Sequence, residues 1–169
     1  MNKDYPIFVS LRIFALVLAQ VFICSKLHFF GFVSPMIYVI FLYLYPTHRD
    51  RHLLLTAGFV TGFILDIFLD SLALHTICLT IMCYIRPRIM RFTFGLNFEQ
   101  KTFRIHKTPA QQRFTFLYLS ILIHHFIYFS LEALDPSMFV WILKKVLWTS
   151  VASFVLSVLV LALFSSKKS

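Results

Sequence analysis

Ionisable side chains occur inside apolar stretches of this sequence, where a hydrocarbon environment makes a charge expensive. Asp66 lies well inside an apolar run that covers residues 58–87. A carboxylate at the centre of a membrane costs about 3 kcal/mol on insertion scales, so it is normally buried against protein or water. Asp66 is therefore a candidate either for hydrogen bonding inside a helical bundle or for binding a partner or ligand.

Small and acidic residues recur around Asp66 at a helical spacing. Gly58, Gly62, Asp66 and Asp70 follow one another every four residues, so on a helix they form one slowly drifting stripe. The glycines favour close approach by a neighbouring helix, and the carboxylates must face the bundle, a partner or a water-filled cleft. We expect Asp70 to lie at the membrane interface, where it caps a helix.

A second polar group lies in a later apolar run. His125, Tyr128 and Glu132 share one helical face, and His124 is adjacent. A rise of about 1.5 Å per residue puts the histidine pair near mid-membrane and Asp66 somewhat further out, so the two groups could meet through their side chains. We also expect His75, near the outer end of its run, to belong to this polar layer.

Histidines and carboxylates in one membrane layer raise the possibilities of a zinc site or a proton relay. Neighbouring residues on a helix point about 100° apart, which separates the rings of His124 and His125. The sequence also has no HExxH or comparable ligand spacing. A satisfied polar network is the preferred interpretation, and the sequence predicts no metal and no cofactor.

The composition indicates that these residues lie in a membrane protein. Of the 169 residues, 59% are hydrophobic and 18% aromatic, with a mean hydropathy of +0.81. A soluble domain of this size has too little interior to bury so much apolar surface. We therefore expect an all-α, polytopic protein in which residues 1–169 form one integral membrane domain.

Six apolar runs are near the length of about 20 residues that a helix needs to cross the hydrocarbon core. The predicted protein is thus a single bundle of six transmembrane helices. The approximate spans are residues 7–24, 29–45, 53–69, 72–90, 114–134 and 138–164.

The distribution of lysine and arginine predicts the orientation, because positive charge in short loops is retained in the cytoplasm. With the N-terminus and C-terminus both inside, the outer segments hold only Lys26. The cytoplasmic segments then hold twelve basic residues: Lys3, Arg49, Arg51, Arg86, Arg88, Arg91, Lys101, Arg104, Lys107, Arg113, Lys167 and Lys168.

A basic loop over residues 91–113, extended back to Arg86, is the longest predicted cytoplasmic segment. Phenylalanines are interleaved with its charges, a mixture that suits a segment lying on an anionic lipid surface. A cytoplasmic protein contact is a second possibility, and nucleic-acid binding, which uses similar residues, is disfavoured. The seven basic residues are Arg86, Arg88, Arg91, Lys101, Arg104, Lys107 and Arg113.

The sequence has no pattern that indicates an enzyme. A Ser-His-Asp arrangement, a P-loop, a glycine-rich nucleotide fingerprint or a suitable carboxylate pair cannot be built from it. A soluble domain that could hold such a site is not predicted either. We therefore expect a non-catalytic membrane protein.

Four short motifs follow one another along the chain, and a polar fifth span and a basic C-terminal tail come after them. The motifs are Tyr45-Pro46, Gly58-x3-Gly62-x3-Asp66, Ala73-Leu74-His75 and Tyr84-Ile85-Arg86-Pro87. The order of these features resembles the MreD family of bacterial rod shape-determining proteins. The family commonly has glycine where Ala73 stands, so the turn before the fourth span departs from the pattern.

The resemblance implies a scaffold of the cell-shape complex, or elongasome, in the bacterial cytoplasmic membrane. It would bind the bitopic protein MreC and thereby connect the RodA glycosyltransferase and a class B penicillin-binding transpeptidase to MreB filaments. Such a complex supports lateral peptidoglycan synthesis and maintains the rod shape. On this hypothesis the face of Gly58 and Gly62 and the layer of Asp66 dock the partner's helix, and the basic loop faces the filaments.

Two other functions remain open at the sequence level. The chain is also similar to the six-helix substrate-binding S components of energy-coupling-factor importers, whose ligand cavity the polar residues could line. An anchor or assembly factor for another membrane complex is the third possibility. The residues available for such a cavity are Asp66, His75, His124, His125 and Glu132.

Overall fold

A computed structural model describes residues 6–27, 33–47, 50–100 and 102–165 of the chain, and these ranges contain helices and turns without a β-strand. Lys3, Arg49, Lys101, Lys167 and Lys168, which enter the predicted charge distribution, lie outside the described residues. The α-helices are α1 (Pro6–Phe22), α2 (Phe41–Leu44), α3 (Arg51–Leu69), α4 (Leu74–Phe94), α5 (Ala110–Ala133) and α6 (Phe139–Ser165).

Three helices are long and apolar enough to cross a membrane. They correspond to Arg51–Leu69, Ala110–Ala133 and Phe139–Leu163, which match the third, fifth and sixth predicted spans. Helix α1 has 17 residues, slightly fewer than a perpendicular crossing needs. Helix α4 has 21 residues, but three arginines in its second half make it less apolar. The chain is thus all-α and of membrane type.

The second predicted span is not a continuous helix in its described part. Residues 33–37 have no helical structure, and a 3-10 turn, Tyr38–Ile40, then leads into the short helix α2. Pro35 lacks a backbone N–H and disfavours helical conformation at the residue before it, which explains the break. The prediction of one helix over residues 29–45 is therefore wrong for this part.

Side chains satisfy the backbone of this irregular segment, as a buried, non-helical segment requires. The Gln20 amide donates to the carbonyl of Pro35 at 3.2 Å and accepts from the N–H of Ile37 at 2.8 Å. The N–H of Met36 donates to the Ser153 hydroxyl at 2.9 Å. The following residues, from Tyr38 to Leu42, are at most 1% exposed, so this segment lies at the centre of the bundle.

Helices α3 and α4 form a tight antiparallel hairpin at the outer end predicted from the charges. Asp70 is the C-cap of α3, with φ of 50°, and its N–H donates to the carbonyl of Asp66. Leu72 and Ala73 also have left-handed φ angles, 46° and 68°, before α4 begins. Three non-glycine residues thus take a conformation that costs about 1–2 kcal/mol per residue for L-amino acids.

The connection between α4 and α5 is shorter than the predicted loop. Helix α4 continues through Pro87 to Phe94, and α5 begins at Ala110. Two 3-10 turns, Gly95–Glu99 and Ile105–Lys107, lie between them. Phe103 packs into the core against Phe94, with ring centroids 5.2 Å apart, so part of this connection is anchored by burial.

Helices α5 and α6 form the second hairpin. Leu134 ends α5 with a left-handed φ of 47°, and Asp135 accepts a hydrogen bond from the Ser137 N–H at 2.8 Å. Hydrogen bonding to Ser137 lowers the pKa of Asp135, which lies outside the membrane-spanning helices. A turn capped in this way sets α6 antiparallel to α5, and the two helices pack along their length.

Candidate functional site, a buried polar layer

Asp66 is the centre of the polar layer, and its carboxylate is bonded to its own chain. It is 9% exposed. Oδ1 accepts from the Ser71 hydroxyl at 2.6 Å and from the backbone N–H and ring Nδ1 of His75, both at 2.9 Å. Oδ2 accepts from the backbone N–H of Thr76 at 2.8 Å and from its hydroxyl. Five donors saturate the two oxygens.

This arrangement makes Asp66 the N-terminal cap of α4, supplied by the preceding helix. Ala73 occupies the N-cap position and has no side chain that can accept a hydrogen bond. The first N–H groups of a helix lack partners within the helix, and a negative charge there is favoured by the helix dipole. Of the two possibilities for Asp66, the geometry supports hydrogen bonding inside the bundle.

The glycine face of α3 is covered by α4. A Cβ added to Gly62 would lie 2.5 Å from the Cα of Thr76 and 2.8 Å from its backbone N, and one added to Gly58 would overlap the Cys83 sulfur. The close approach predicted from the glycines thus occurs within the chain. A partner's helix has no room on this face, so the docking hypothesis for Gly58, Gly62 and Asp66 is corrected on steric grounds.

His75 and His124 join the layer through Tyr38, which comes from the second apolar run. The Tyr38 hydroxyl lies 2.8 Å from His124 Nε2. The ring of His75 lies 5.4 Å from that of Tyr38 and 5.1 Å from that of Tyr128, measured between centroids. The structure therefore brings Asp66, His75, His124 and Tyr128 into one buried layer.

His125 is turned away from this group, toward α6. Its Nδ1 lies 2.7 Å from the carbonyl of Ile121, and since a carbonyl only accepts, Nδ1 carries the hydrogen. In the neutral ring Nε2 is then an acceptor, and the Ser153 hydroxyl is 3.2 Å away. His125 thereby links α5 to α6 and, through Ser153, to the N–H of Met36.

Glu132 does not belong to the polar layer. Its side chain is exposed and forms an ion pair with Lys145 at 2.6 Å, near the turn between α5 and α6. The Lys145 ammonium also lies 4.5 Å from the Phe129 ring centroid and 4.7 Å from that of Trp141. Glu132 is two helical turns beyond His125, which is far enough to reach the interface.

The predicted basic loop separates into different environments. Arg86 is only 3% exposed and donates to the carbonyls of Leu42 at 2.9 Å and Tyr45 at 2.7 Å, so it caps α2. Its assignment to the membrane surface is wrong, because two backbone acceptors hold it inside. Of the other positions, Arg88 and Arg91 lie on α4, Arg104 and Lys107 in the connection, and Arg113 in the first turn of α5.

Several members of the layer were not predicted from the sequence. Tyr38 is surrounded by apolar residues in the sequence, and the hydroxyls of Ser71 and Thr76 gave no periodic signal. The serine and threonine beside the start of α4 are the usual signal of a helix N-terminus, and that pattern could have indicated the cap. Gln20 is a single amide in the first apolar run, and nothing in the sequence points to Pro35 and Ile37 as its partners.

Some buried polar atoms have no hydrogen-bond partner among the described residues. His124 Nδ1 is one of them. The others in α5 and α6 are Arg113 Nε and the hydroxyls of Ser120, Thr149, Ser150 and Ser157. Among all the residues that the structure describes, no group of three or more His, Cys, Asp or Glu residues is arranged to hold a metal ion. The layer can therefore cap helices and join them.

Fold and site together define an all-helical protein of membrane type whose buried ionisable groups cap its helices and join them. Comparisons with models of protein families, with curated protein sequences and with solved structures gave no match.

Proposed function

We propose that this chain is a non-catalytic membrane scaffold of the MreD type, a subunit of the bacterial cell-shape complex. The observation that supports it is the saturation of Asp66 by Ser71, His75 and Thr76 of the same chain. An active or transport site needs a polar group that is free to bind substrate, whereas a scaffold needs rigid, correctly spaced helices. The most strongly polar position in this protein serves the second purpose.

The proposed topology has six crossings with both termini in the cytoplasm of the bacterial inner membrane. The irregular segment that ends in α2 counts as part of the second crossing. The arrangement of the helix ends supports this topology. Arg51 begins α3, Arg91 lies in the last turn of α4 and Arg113 in the first turn of α5, whereas the turns with Asp70 and Asp135 lie at the opposite ends.

The proposed partner is an MreC-like protein with a single transmembrane helix. Through it the chain would join RodA, a class B penicillin-binding transpeptidase and MreB filaments in lateral peptidoglycan synthesis. Because α4 covers Gly58 and Gly62, the partner's helix is proposed to dock on a lipid-facing surface. Anionic lipid is expected among the partners, and nucleic acid is not.

Affinity purification tests the proposal. A tagged copy is recovered from native membranes in mild detergent, and the co-purifying proteins are identified by mass spectrometry. Recovery of an MreC-like protein with RodA or the transpeptidase is the expected result. A tagged, unrelated six-helix protein from the same membranes is the control, and equal recovery with it would contradict the scaffold proposal.

The alternative is an S component of an energy-coupling-factor importer. The observation in its favour is the fully buried His124 Nδ1, which has no hydrogen-bond partner among the described residues and could face a polar ligand. The same purification distinguishes the two functions, since recovery of paired ATPases and a coupling subunit would indicate transport. His124→Ala should then abolish ligand retention but leave the recovery of the ATPases unchanged.

A further inference from the structure

Two arginine side chains meet at one tyrosine ring near the cytoplasmic ends of α3 and α4. The guanidinium carbon of Arg51 lies 4.8 Å from the centroid of the Tyr84 ring, and that of Arg88 lies 5.4 Å from the same centroid. All three side chains are exposed. Two positive charges are therefore held beside one ring at the surface, where they repel each other unless an anion compensates them.

Neither guanidinium has an acidic partner among the described residues. The ion pairs found there are those of Asp66 with His75 and of Glu132 with Lys145. Asp50 precedes Arg51 in the sequence, but its exposed carboxylate forms no ion pair or cap with α3. Arg86, by contrast, is buried and engaged with backbone carbonyls. The charge of Arg51 and Arg88 is thus available to a ligand.

We propose that Arg51, Tyr84 and Arg88 bind the phosphate of an anionic phospholipid headgroup in the inner leaflet. A guanidinium presents a planar fork of donors that matches phosphate oxygens, and two such groups can hold one phosphate from two sides. The Tyr84 hydroxyl supplies a further donor, while its ring positions both cations.

The surface next to this group favours a lipid over a soluble phosphate. Ile81 and Ile77 precede Tyr84 by three and seven residues, so they lie on the same face of α4. They are 38% and 43% exposed, and they continue the face from the charged end toward the middle of the membrane. An acyl chain can lie along these isoleucines while its headgroup contacts the two arginines.

This inference rests on the part of the proposed function that embeds α4 in the membrane, and it requires no partner protein. Native mass spectrometry of the purified chain in non-ionic detergent measures it directly. Phosphatidylglycerol and phosphatidylcholine are titrated separately, and the lipid that each chain retains is counted. We expect preferential retention of phosphatidylglycerol, and weakening of about fivefold for each guanidinium that is replaced by glutamine.

Two variants separate the site from general charge. The double variant Lys26→Gln/Lys144→Gln removes the same charge from exposed positions that lie outside the basic loop and away from Tyr84, and it should retain the lipid as the wild type does. Tyr84→Leu keeps the charge but removes the ring and hydroxyl, and it should bind less lipid. Thermal melting curves of all variants must coincide with that of the wild type, since none of these side chains lies in the core.

Three results would overturn the proposal. Equal weakening in the control double variant would show general electrostatic attraction, and equal retention of phosphatidylcholine would show that the headgroup charge is not recognised. Displacement of the lipid by inorganic phosphate would indicate a site for a free anion. Because no other protein is present, failure here leaves the scaffold proposal intact, and failure to recover MreC leaves this proposal intact.

Discussion

Asp66 shows how a membrane carboxylate can serve the fold. Its oxygens accept hydrogen bonds from the first turn of α4 and from the His75 ring, although it belongs to α3. An isolated carboxylate at this depth would be unfavourable, but five donors compensate for its burial. Measuring the stability and the partner recovery of an Asp66 variant can therefore tell whether the residue serves the fold or binds a partner.

Asp66→Leu should destabilise the protein by about 2–4 kcal/mol, because it removes the cap and leaves the buried N–H groups of His75 and Thr76 without an acceptor. Unfolding in mixed detergent micelles, followed by circular dichroism, measures the change. Asp66→Asn is the matched control and should lose less, since one acceptor oxygen remains. Wild-type stability of Asp66→Leu, combined with a loss of partner recovery, would instead indicate a docking residue.

The conformation of Ala73 leads to a second prediction at the scale of single residues. Its φ of 68° disfavours any residue with a Cβ, and glycine takes this conformation readily. Ala73→Gly should therefore raise the free energy of unfolding by about 0.5–1 kcal/mol. Ala57→Gly, in the interior of α3, is the control and should lower it by about 1 kcal/mol. Destabilisation by both substitutions would contradict the assigned turn geometry.

At the scale of helices, the packing of α3 on α4 depends on the absence of side chains at two positions. A Cβ on Gly62 meets the backbone of Thr76, and one on Gly58 meets the Cys83 side chain. Backbone cannot give way without separating the helices, whereas a side chain can be shortened. The two glycines should therefore respond differently to compensation.

Gly58→Ala and Gly62→Ala should each destabilise the hairpin by about 1–3 kcal/mol. In the double variant Gly58→Ala/Cys83→Ala, the stability should be recovered in part, because the smaller side chain leaves room for the added methyl group. Gly62→Ala combined with Cys83→Ala should show no such coupling. Double-mutant cycles from denaturant titration measure both coupling energies. Equal coupling energies for the two pairs would contradict this account of the packing.

At the scale of the whole molecule, the charges and the helix ends agree on one orientation. The turn at Ser137 joins α5 to α6 at the ends that are proposed to face outward, and Asn97 lies in the connection between α4 and α5. Both side chains are exposed, so substituted cysteines there can report on their compartment.

In a background without Cys24, Cys78 and Cys83, a membrane-impermeant maleimide should label Ser137→Cys in intact spheroplasts. Asn97→Cys should be labelled only after the membrane is opened, since it is expected on the cytoplasmic side. Labelling of a denatured sample controls for the reactivity of each thiol. Labelling of Asn97→Cys in intact cells would contradict the proposed topology.

The sequence by itself indicated an all-α protein of membrane type, and three of the six predicted spans coincide with helices that are long and apolar enough to cross. Burial of apolar surface depends on composition and length, which can be counted along the chain. The spacing of Gly58 and Gly62 likewise predicted the close approach of a helix, because helical periodicity is a local property.

Only the tertiary structure decided which helix approaches and where each polar side chain is bonded. Residues distant in sequence meet in the bundle, such as Tyr38 with His124 and Arg86 with the end of α2. The same arginine suits a lipid surface or a helix end, and the same aspartate suits a partner or a cap. Hydrogen bonds select among these possibilities through distances and directions, which exist only after the helices have packed.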